Sequence, residues 1–308
     1  MCYTVFQKGG APVRILTHTV TAAEDGQTAK QLLRGLWHIS GSLLSRLKFR
    51  DAITANGVPV PVNHILRTGD VLGADVSDMP GQHPHILPVD YPLAILYEDE
   101  DLLLLDKPAG IAIHPAALTE ETVTIAGAVA HYLQSDSFHA VNRLDRGTTG
   151  VMAVAKTGFV HARCMTLLHT DAFQRDYRAV CDGVPPHPAG DIDLPIGREG
   201  DSLLKRCPDP AGQAAHTHYE VLEVSNGRAL LRLTPTTGRT HQLRVHMAAI
   251  GCPLTGDWLY GREDRALIAR PALHSYHLRL THPVTGAVID VTAPLPEDMV
   301  RLLKAGQR

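Results

Sequence analysis

One aspartate, Asp145, stands out because of the residues around it. It lies between Arg143 and Arg146 in the segment "NRLDRGTTGVMAVAKT", directly before a small-residue turn at 147–150 and an apolar run at 151–155. Neighbouring arginines favour the ionised form of a carboxylate. The turn can expose Asp145, and a strand over the apolar run would hold it rigidly. Such a carboxylate can be a nucleophile, a general base or a metal ligand. A structural salt bridge in a loop is the alternative.

Two further segments carry polar side chains of the kind that binding sites use. The segment "QRDYRAV" places Tyr177 on a predicted short strand beside Arg175 and Arg178. Five polar side chains fall within eight residues of "TTGRTHQLRVHM": Arg239, His241, Gln242, Arg244 and His246. These side chains suit contacts with phosphate and sugar, or pairing with a buried carboxylate. Either segment alone could be a solvated basic face, but their combination with Asp145 favours a functional site.

The composition is that of a folded protein of ordinary type. The chain has 308 residues, 44% of them hydrophobic, and a formal net charge of −3, which is enough for a full core and two domains. The five cysteines form no Cys-x-x-Cys pair, which indicates a reducing cytoplasm. No apolar stretch reaches the length of a signal peptide or a membrane helix, so no membrane association is predicted. Histidine spacings such as "HTHYE" do not match a zinc motif, and no metal is predicted.

The first part of the chain predicts a small separate domain. The segment "PVRILTHTV" predicts a strand, residues 21–40 predict a helix, and "SGSLLSRLKFRDAI" predicts a second helix capped by Ser40 or Ser42. Two short strands follow, in "ITANGVPV" and "GDVLGADV", with a tight turn at Asn56-Gly57 between them and the helix. Four prolines between residues 77 and 92 indicate a linker. We therefore expect domains at 1–84 and 85–308.

The two predicted helices of this domain are basic. Five basic residues and no acidic residue occur from position 30 to position 50: Lys30, Arg34, Arg46, Lys48 and Arg50. A solvated helix face would show the same charges. The order of helices and strands over residues 28–76, however, resembles the small RNA-binding domain first known from ribosomal small-subunit protein four. That resemblance implies that the paired helices lie on structured RNA, with Lys48 and Arg50 among the contacts.

The second part of the chain predicts an α+β domain. Two strands surround an acidic turn at 98–101, and helices are predicted at 122–133, at 158–169 and from about 240 to 251. Strands interleaved with a few helices, without regular βαβ alternation, predict a largely antiparallel mixed β-sheet with flanking helices. The first part is then a small N-terminal α/β RNA-binding domain.

Three segments together resemble the RluA-type pseudouridine synthases over about residues 93–294. The segment "NRLDRGTTG" is similar to the first catalytic motif, "QRDYRAVCDG" to the motif with the active-site tyrosine, and "GRTHQLRVHMAAIGCPLTGDWLYG" to the third motif. Asn142 stands where the family usually has His, and Thr149 where it usually has Ser. The resemblance implies isomerisation of uridine to pseudouridine in ribosomal RNA or transfer RNA, by a monomeric enzyme without cofactor or metal.

The resemblance also implies a role for each matching residue. Asp145 would attack the ribose or the base of a flipped-out uridine, and Tyr177 would stack on the uracil and assist late proton removal. Arg244 would pair with Asp145, with Arg239 as the fallback, and Arg143 would enter the space that the flipped nucleotide leaves. The remaining expected RNA contacts in these motifs are Asn142, His241 and Gln242.

Two other functions compete with this interpretation. A non-catalytic RNA-binding protein could keep the fold, but it would not need Asp145, Tyr177 and Arg244 together. A hydrolase of glycosidic bonds usually needs two acidic groups. In the segments "NRLDRGTTG", "QRDYRAV" and "GRTHQLRVHMAAIGCPLTGDWLYG" the only other acids are Asp176 and Asp257, and neither has an obvious pairing with Asp145.

Overall fold

A computed structural model of the chain describes residues 13–81, 85–115 and 123–304. Within these ranges it has a small N-terminal sheet, a large central sheet and six α-helices. Residues 82–84 of the predicted linker, and Thr122 at the start of a predicted helix, lie outside the described residues. No helix in the described ranges is long and apolar enough to span a membrane.

The N-terminal part is a four-stranded sheet with two helices. Its strands are β1 (Ile15–Thr19), β2 (Ile53–Ala55), β3 (Val58–Pro59) and β4 (Val71–Asp75), and its helices are α1 (Ala29–Trp37) and α2 (Gly41–Phe49). The strands lie in the order β1-β4-β2-β3. The Ser40 hydroxyl accepts a hydrogen bond from the Leu43 N–H, so the predicted cap of α2 is confirmed at Ser40.

Two predictions for this part are wrong. The helix predicted from residue 21 begins only at Ala29, because Thr21 caps a single 3-10 turn that ends before Gly26, which has a φ of +79°. Thr28 then caps α1 with a reciprocal bond to Gln31. The Asn56-Gly57 turn joins β2 to β3 as a hairpin, instead of joining strands to a helix.

The large sheet carries the second part of the chain. Its ten strands are β5 (Ile95–Glu98), β6 (Leu102–Lys107), β7 (His139–Ala140), β8 (Thr149–Ala155), β9 (Phe173–Asp182), β10 (Ala189–Asp193), β13 (His216–Ser225), β14 (Arg228–Pro235), β15 (Leu273–Thr281) and β16 (Val288–Thr292). The other elements are a hairpin of β11 (Ile196–Arg198) and β12 (Arg206–Pro208), and the helices α3 (Ile125–Leu133), α4 (Gly158–Leu167), α5 (Gln242–Ala249) and α6 (Glu297–Lys304). The main path runs β10-β13-β14-β9-β15-β8-β6-β5, and only β15 and β8 pair in parallel. The predicted α+β class with a largely antiparallel sheet is confirmed.

Strand β8 lies between β15 and β6 in the large sheet, and every one of its residues is buried. Successive side chains of a strand point to opposite faces. Val151 and Ala153 accordingly belong to a core cluster that continues into the N-terminal part, whereas Met152 and Val154 belong to the cluster on the other face. The loop that carries Asp145 enters this rigid strand directly.

The two parts of the chain are in close contact. Arg14 lies before β1 and pairs with Asp101 at 2.8 Å and with Glu100 at 2.9 Å. Asp78 accepts hydrogen bonds from the backbone of Gly158 at the start of α4. The beginning of the predicted linker is therefore packed against helix α4 of the second part of the chain.

Candidate active site

The turn after Asp145 depends on a glycine at its far end. Gly150 has a φ of +104° and pairs with Ser275 in the parallel contact between β8 and β15. A β-carbon at this position would overlap the carbonyl of Ser275. Only glycine permits this close approach. The end of the Gly-Thr-Thr-Gly turn is thus fixed where the chain enters the core, five residues after the carboxylate.

A buried lysine binds the backbone carbonyls of the same turn. Lys107 ends β6, is fully buried, and its Nζ donates to the carbonyls of Pro108 at 2.9 Å and of Arg146 and Thr148 at 3.1 Å. Burial lowers the pKa of Lys107 to about 8. Three N–H donors meet three acceptors, which satisfies the group. The sequence analysis did not select Lys107. The sequence feature that could have identified it is a lysine at the end of the apolar strand "LLLLDK".

Arg244, in the first turn of α5, bridges two carboxylates. Its Nε and Nη2 each donate to Asp257 at 2.7 Å, and its Nη1 donates to Asp145 at 3.3 Å. Burial by itself would lower the pKa of Arg244, but the hydrogen bonds and the charges of both carboxylates raise it. Asp257 is fully buried, whereas the Asp145 side chain is 29% exposed. Arg244 therefore presents Asp145 towards open space. The fallback partner Arg239 instead donates to the carbonyl of Ala214.

His241 lies on the other side of the carboxylate. Its Nε2 is 3.9 Å from Asp145, and its Nδ1 is 2.9 Å from the hydroxyl of Tyr260. That hydroxyl also accepts the backbone N–H of Arg206. Because the carboxylate of Asp145 faces Nε2, a proton on Nε2, with Nδ1 accepting from the Tyr260 hydroxyl, suits both neighbours. Burial lowers the pKa of His241 against the opposing charge of Asp145. The neutral ring therefore directs an N–H towards Asp145.

Gln242 and Asn142 are buried and bonded to protein. Gln242 accepts from Thr237 and from the N–H of Arg239, and donates to the carbonyl of His216 and the hydroxyl of Thr217. Asn142 accepts from the N–H of Ala153 at 2.7 Å and donates to the carbonyl of Val151 at 3.4 Å. Both side chains therefore brace the walls of the site with their amide groups.

Thr149, the second departure from the family pattern, is also explained by its neighbours. Its hydroxyl donates to Nδ1 of His274 at 2.8 Å, and Nε2 of the same ring faces the carbonyl of Ala293 at 3.3 Å. Burial lowers the pKa of His274 to about 4. A neutral ring with its proton on Nε2 satisfies both contacts. The contact with His274 depends on the hydroxyl of Thr149, which a serine would also provide.

The described residues around Asp145 enclose a cavity of about 560 Å³. Arg143, Tyr177, His241 and Arg244 line it together with Asp145. Tyr177 lies on β9, which is ten residues long and not the short strand predicted. Burial raises the pKa of its phenol. Arg143 is exposed at the wall. The volume suits a small organic ligand such as a nucleoside.

The two expected contacts on α2 are apart from this cavity. Lys48 is exposed on α2, and Arg50, directly after it, donates to the carbonyl of Ser77 at 2.9 Å. Neither residue lines the cavity. Over the described ranges, no group of three or more His, Cys, Asp or Glu side chains is arranged to hold a metal ion.

Comparison with known proteins identifies the family. A model described as "RNA pseudouridylate synthase" matches residues 101–249, and the "RluD ribosomal pseudouridine synthase N-terminal domain" matches residues 16–72. The chain is 40% identical over 310 residues to "Ribosomal large subunit pseudouridine synthase D" of Escherichia coli (strain K12), covering 94% of this chain and 93% of that protein. The chain belongs to the RNA pseudouridine synthase family. It is an isomerase that converts uridine to pseudouridine.

Other relatives agree with this assignment. "Uncharacterized RNA pseudouridine synthase YjbO" of Bacillus subtilis (strain 168) is 38% identical over 272 residues, which is 86% of this synthase and 95% of that protein. The solved structure of "Human RNA Pseudouridylate Synthase Domain Containing 1" has a TM-score of 0.56 and 25% identity, covering 66% of this chain and 83% of that one. The N-terminal match is to the RluD domain, and the resemblance to ribosomal small-subunit protein four stays a prediction.

Proposed function

We propose that this synthase isomerises uridines in large-subunit ribosomal RNA and that Asp145 is its nucleophile. The observation that carries the proposal is the position of Asp145, which faces a nucleoside-sized cavity while Arg244 neutralises its charge from behind. The substrate follows the relatives named as large-subunit synthases, among them the proteins of Escherichia coli and Yersinia pestis. Transfer RNA is the competing substrate class.

The reaction needs little besides positioning. The target uridine leaves its stack and enters the cavity, which costs a few kcal/mol. Asp145 attacks the ribose or the base and forms a bond to it, the bond between N1 and C1′ breaks, and the uracil rotates. A bond then forms between C5 and C1′, and the bond to Asp145 breaks, which regenerates the carboxylate. The proton on C5 then leaves and N1 gains one. Apart from one proton lost at C5 and one gained at N1, all atoms stay within one nucleotide, so the proposed reaction needs neither cofactor nor metal. We further propose a cytoplasmic enzyme, from the scattered cysteines, and a monomeric one, from the family resemblance.

The other side chains have separate tasks in this scheme. Tyr177 stacks on the uracil. Because burial raises the pKa of its phenol, we assign to it the stacking and not the removal of the C5 proton. His241, whose Nε2 lies 3.9 Å from Asp145, directs the positive end of its N–H dipole at the carboxylate. Arg143, exposed at the wall of the cavity, enters the gap that the flipped nucleotide leaves.

The N-terminal helices supply the proposed electrostatic contact with RNA. Four of their basic side chains are exposed: Lys30, Arg34, Arg46 and Lys48. Arg50 contributes less, because it is bonded to Ser77 and lies 3.5 Å from Asp75. Contacts with phosphates bind RNA without reading its sequence. We infer that this face holds structured RNA while the cavity selects the uridine.

Release of tritium from RNA labelled at C5 of uridine tests the proposal. The wild-type protein should release tritium from unmodified large-subunit ribosomal RNA, whereas Asp145→Asn should release none and still bind the RNA. Fractionated transfer RNA serves as the competing substrate, and release from it alone would correct the substrate class. If neither naked RNA nor ribosomal particles yield tritium while RNA binding is intact, the protein is a non-catalytic RNA-binding protein.

A further inference from the structure

A second cleft, of about 670 Å³, opens beside the uridine cavity. The two spaces share the side chains of Asp145, Thr148, His241 and Arg244. The remaining wall of the second cleft includes Trp258, Leu204, Arg146 and Pro271. Whatever occupies this cleft therefore lies next to the nucleotide in the first.

Trp258 gives the second cleft an unusual surface. Its side chain is 55% exposed, and Leu204 across the cleft is 53% exposed. The role proposed above for Asp145, Tyr177 and Arg244 makes no use of either residue. An exposed indole has a large flat face on which a nucleobase can stack, and such stacking tolerates any base.

The turn that carries Trp258 is fixed relative to Asp145. The Asp257 carboxylate accepts the backbone N–H groups of Leu259 at 3.1 Å and Tyr260 at 3.3 Å. The same carboxylate binds Arg244, which reaches Asp145. One buried carboxylate thus sets both the guanidinium beside the nucleophile and the turn beneath the indole. This connection is what a binding surface for the neighbouring nucleotide requires.

We infer that the second cleft receives the nucleotide next to the target uridine, with its base stacked on Trp258. A flipped nucleotide stays joined to its neighbours through one phosphodiester on each side, so a neighbour must lie at the mouth of the uridine cavity. Arg146 at the rim provides positive charge for that phosphodiester. Enzymes that flip bases make such contacts with the flanking nucleotides. The inference rests on the proposed function and adds a subsite to it.

The test begins with the wild-type enzyme. Its modified uridine is mapped in unmodified large-subunit ribosomal RNA, and three synthetic stem-loops of that sequence are made: one intact, and two with an abasic nucleotide on the 5′ or 3′ side of the uridine. The protein variants are Trp258→Ala, Trp258→Phe and Val224→Ala. Val224 is a matched control, since it is 53% exposed on β13 and lines neither cleft. Kd and the single-turnover rate are measured for each combination of protein and RNA.

Stacking on one base corresponds to about a five- to hundredfold change in affinity. Trp258→Ala should therefore weaken binding of the intact stem-loop by about tenfold, whereas Trp258→Phe should stay within about threefold of the wild type. Val224→Ala should bind normally. One of the two abasic RNAs should bind the wild type about tenfold more weakly than the intact stem-loop does. The same abasic RNA should bind Trp258→Ala as tightly as the intact stem-loop binds that variant.

Two outcomes would overturn the subsite. One is an active enzyme in which Trp258→Ala leaves the Kd for the intact stem-loop unchanged. The other is a loss that is equal on the intact RNA and on both abasic RNAs, which would assign Trp258 to folding or to a protein partner. A wild-type enzyme that modifies no RNA would instead refute the proposed function, and the subsite with it.

Discussion

Substitution of Asp257 by Asn tests the construction of the site, because this residue is one step removed from the reacting atoms. Asp257 is fully buried, and its two oxygens accept Nε and Nη2 of Arg244, both at 2.7 Å. Asn has the same shape but places an NH₂ group where one of these oxygens was. That group and the guanidinium are both donors, so one contact is lost and the buried charge of Arg244 is left with Asp145 alone.

The structure sets the size of the expected effects. A hydrogen bond to a charged group contributes about 1.5–3 kcal/mol, so we expect Asp257→Asn to lower the free energy of unfolding by about 2 kcal/mol. If Arg244 leaves its position beside Asp145, a similar share of transition-state stabilisation disappears. Since about 1.4 kcal/mol corresponds to a factor of ten in rate, kcat should fall by about ten- to hundredfold. KM should change little, because Asp257 does not line the uridine cavity and Asn keeps an oxygen that can accept the N–H groups of Leu259 and Tyr260 in the Trp258 turn.

Tritium release at saturating RNA gives kcat, and urea unfolding gives the stability. Asp101→Asn is the matched control, since Asp101 is 2% exposed and pairs with the buried Arg14 at 2.8 Å, away from both clefts. We expect the control to lose stability and to keep the kcat of the wild type. If Asp257→Asn loses stability like the control but keeps its kcat, Arg244 does not depend on Asp257 for its position and the reasoning is wrong.

Three more outcomes are expected. Because burial lowers the pKa of His274 from about 6.5 to about 4, the protein should lose up to about 3 kcal/mol of stability as pH falls through that range. The free energy of unfolding of His274→Gln should not show this pH dependence. If urea unfolding gives the same pH dependence for the wild type and for His274→Gln, the prediction is wrong. Gly150→Ala should destabilise by at least about 3 kcal/mol, whereas Gly57→Ala, also at positive φ but in open space, should cost about 1 kcal/mol in thermal unfolding. The double variant Arg46→Gln/Lys48→Gln should reduce the slope of log affinity against log salt by about 1.5 to 2 in filter binding, and an unchanged slope would exclude contact of this face with RNA.

The sequence predicted those features that depend on neighbours in the chain. The fold class followed from the alternation of short strands and helices, and the cap at Ser40 followed from residue type. The cluster around Asp145 could be assembled because its residues fall in three short motifs. The false start of the first helix has a local cause as well, since Thr21 and Thr28 are both good caps and Gly26 between them adopts a φ of +79°, which interrupts a helix.

The features that the sequence did not predict are tertiary. Asp257 was noted as an acid without an obvious pairing with Asp145, yet it shares Arg244 with it. Lys107 supports the Asp145 turn from a strand 39 residues before Arg146. Periodicity and motif spacing carry no information about such contacts, because the strand order of the large sheet decides which loops meet.

The same distinction explains how an acidic protein can hold RNA. The formal net charge is −3, but this number is a sum over the whole chain and does not show where paired and unpaired charges lie. Asp257 and Asp145 share Arg244, and Asp298 pairs with Arg270 at 2.7 Å. By contrast, residues 29–50 contain no acid at all, and within the part of the chain that the structure describes no ion pair joins the exposed Lys30, Arg34, Arg46 or Lys48 to a carboxylate. The field that an approaching RNA meets depends on this distribution and not on the sum. Attraction is therefore assigned to the N-terminal helices, which leaves the residues around Asp145 free to be arranged for the chemistry.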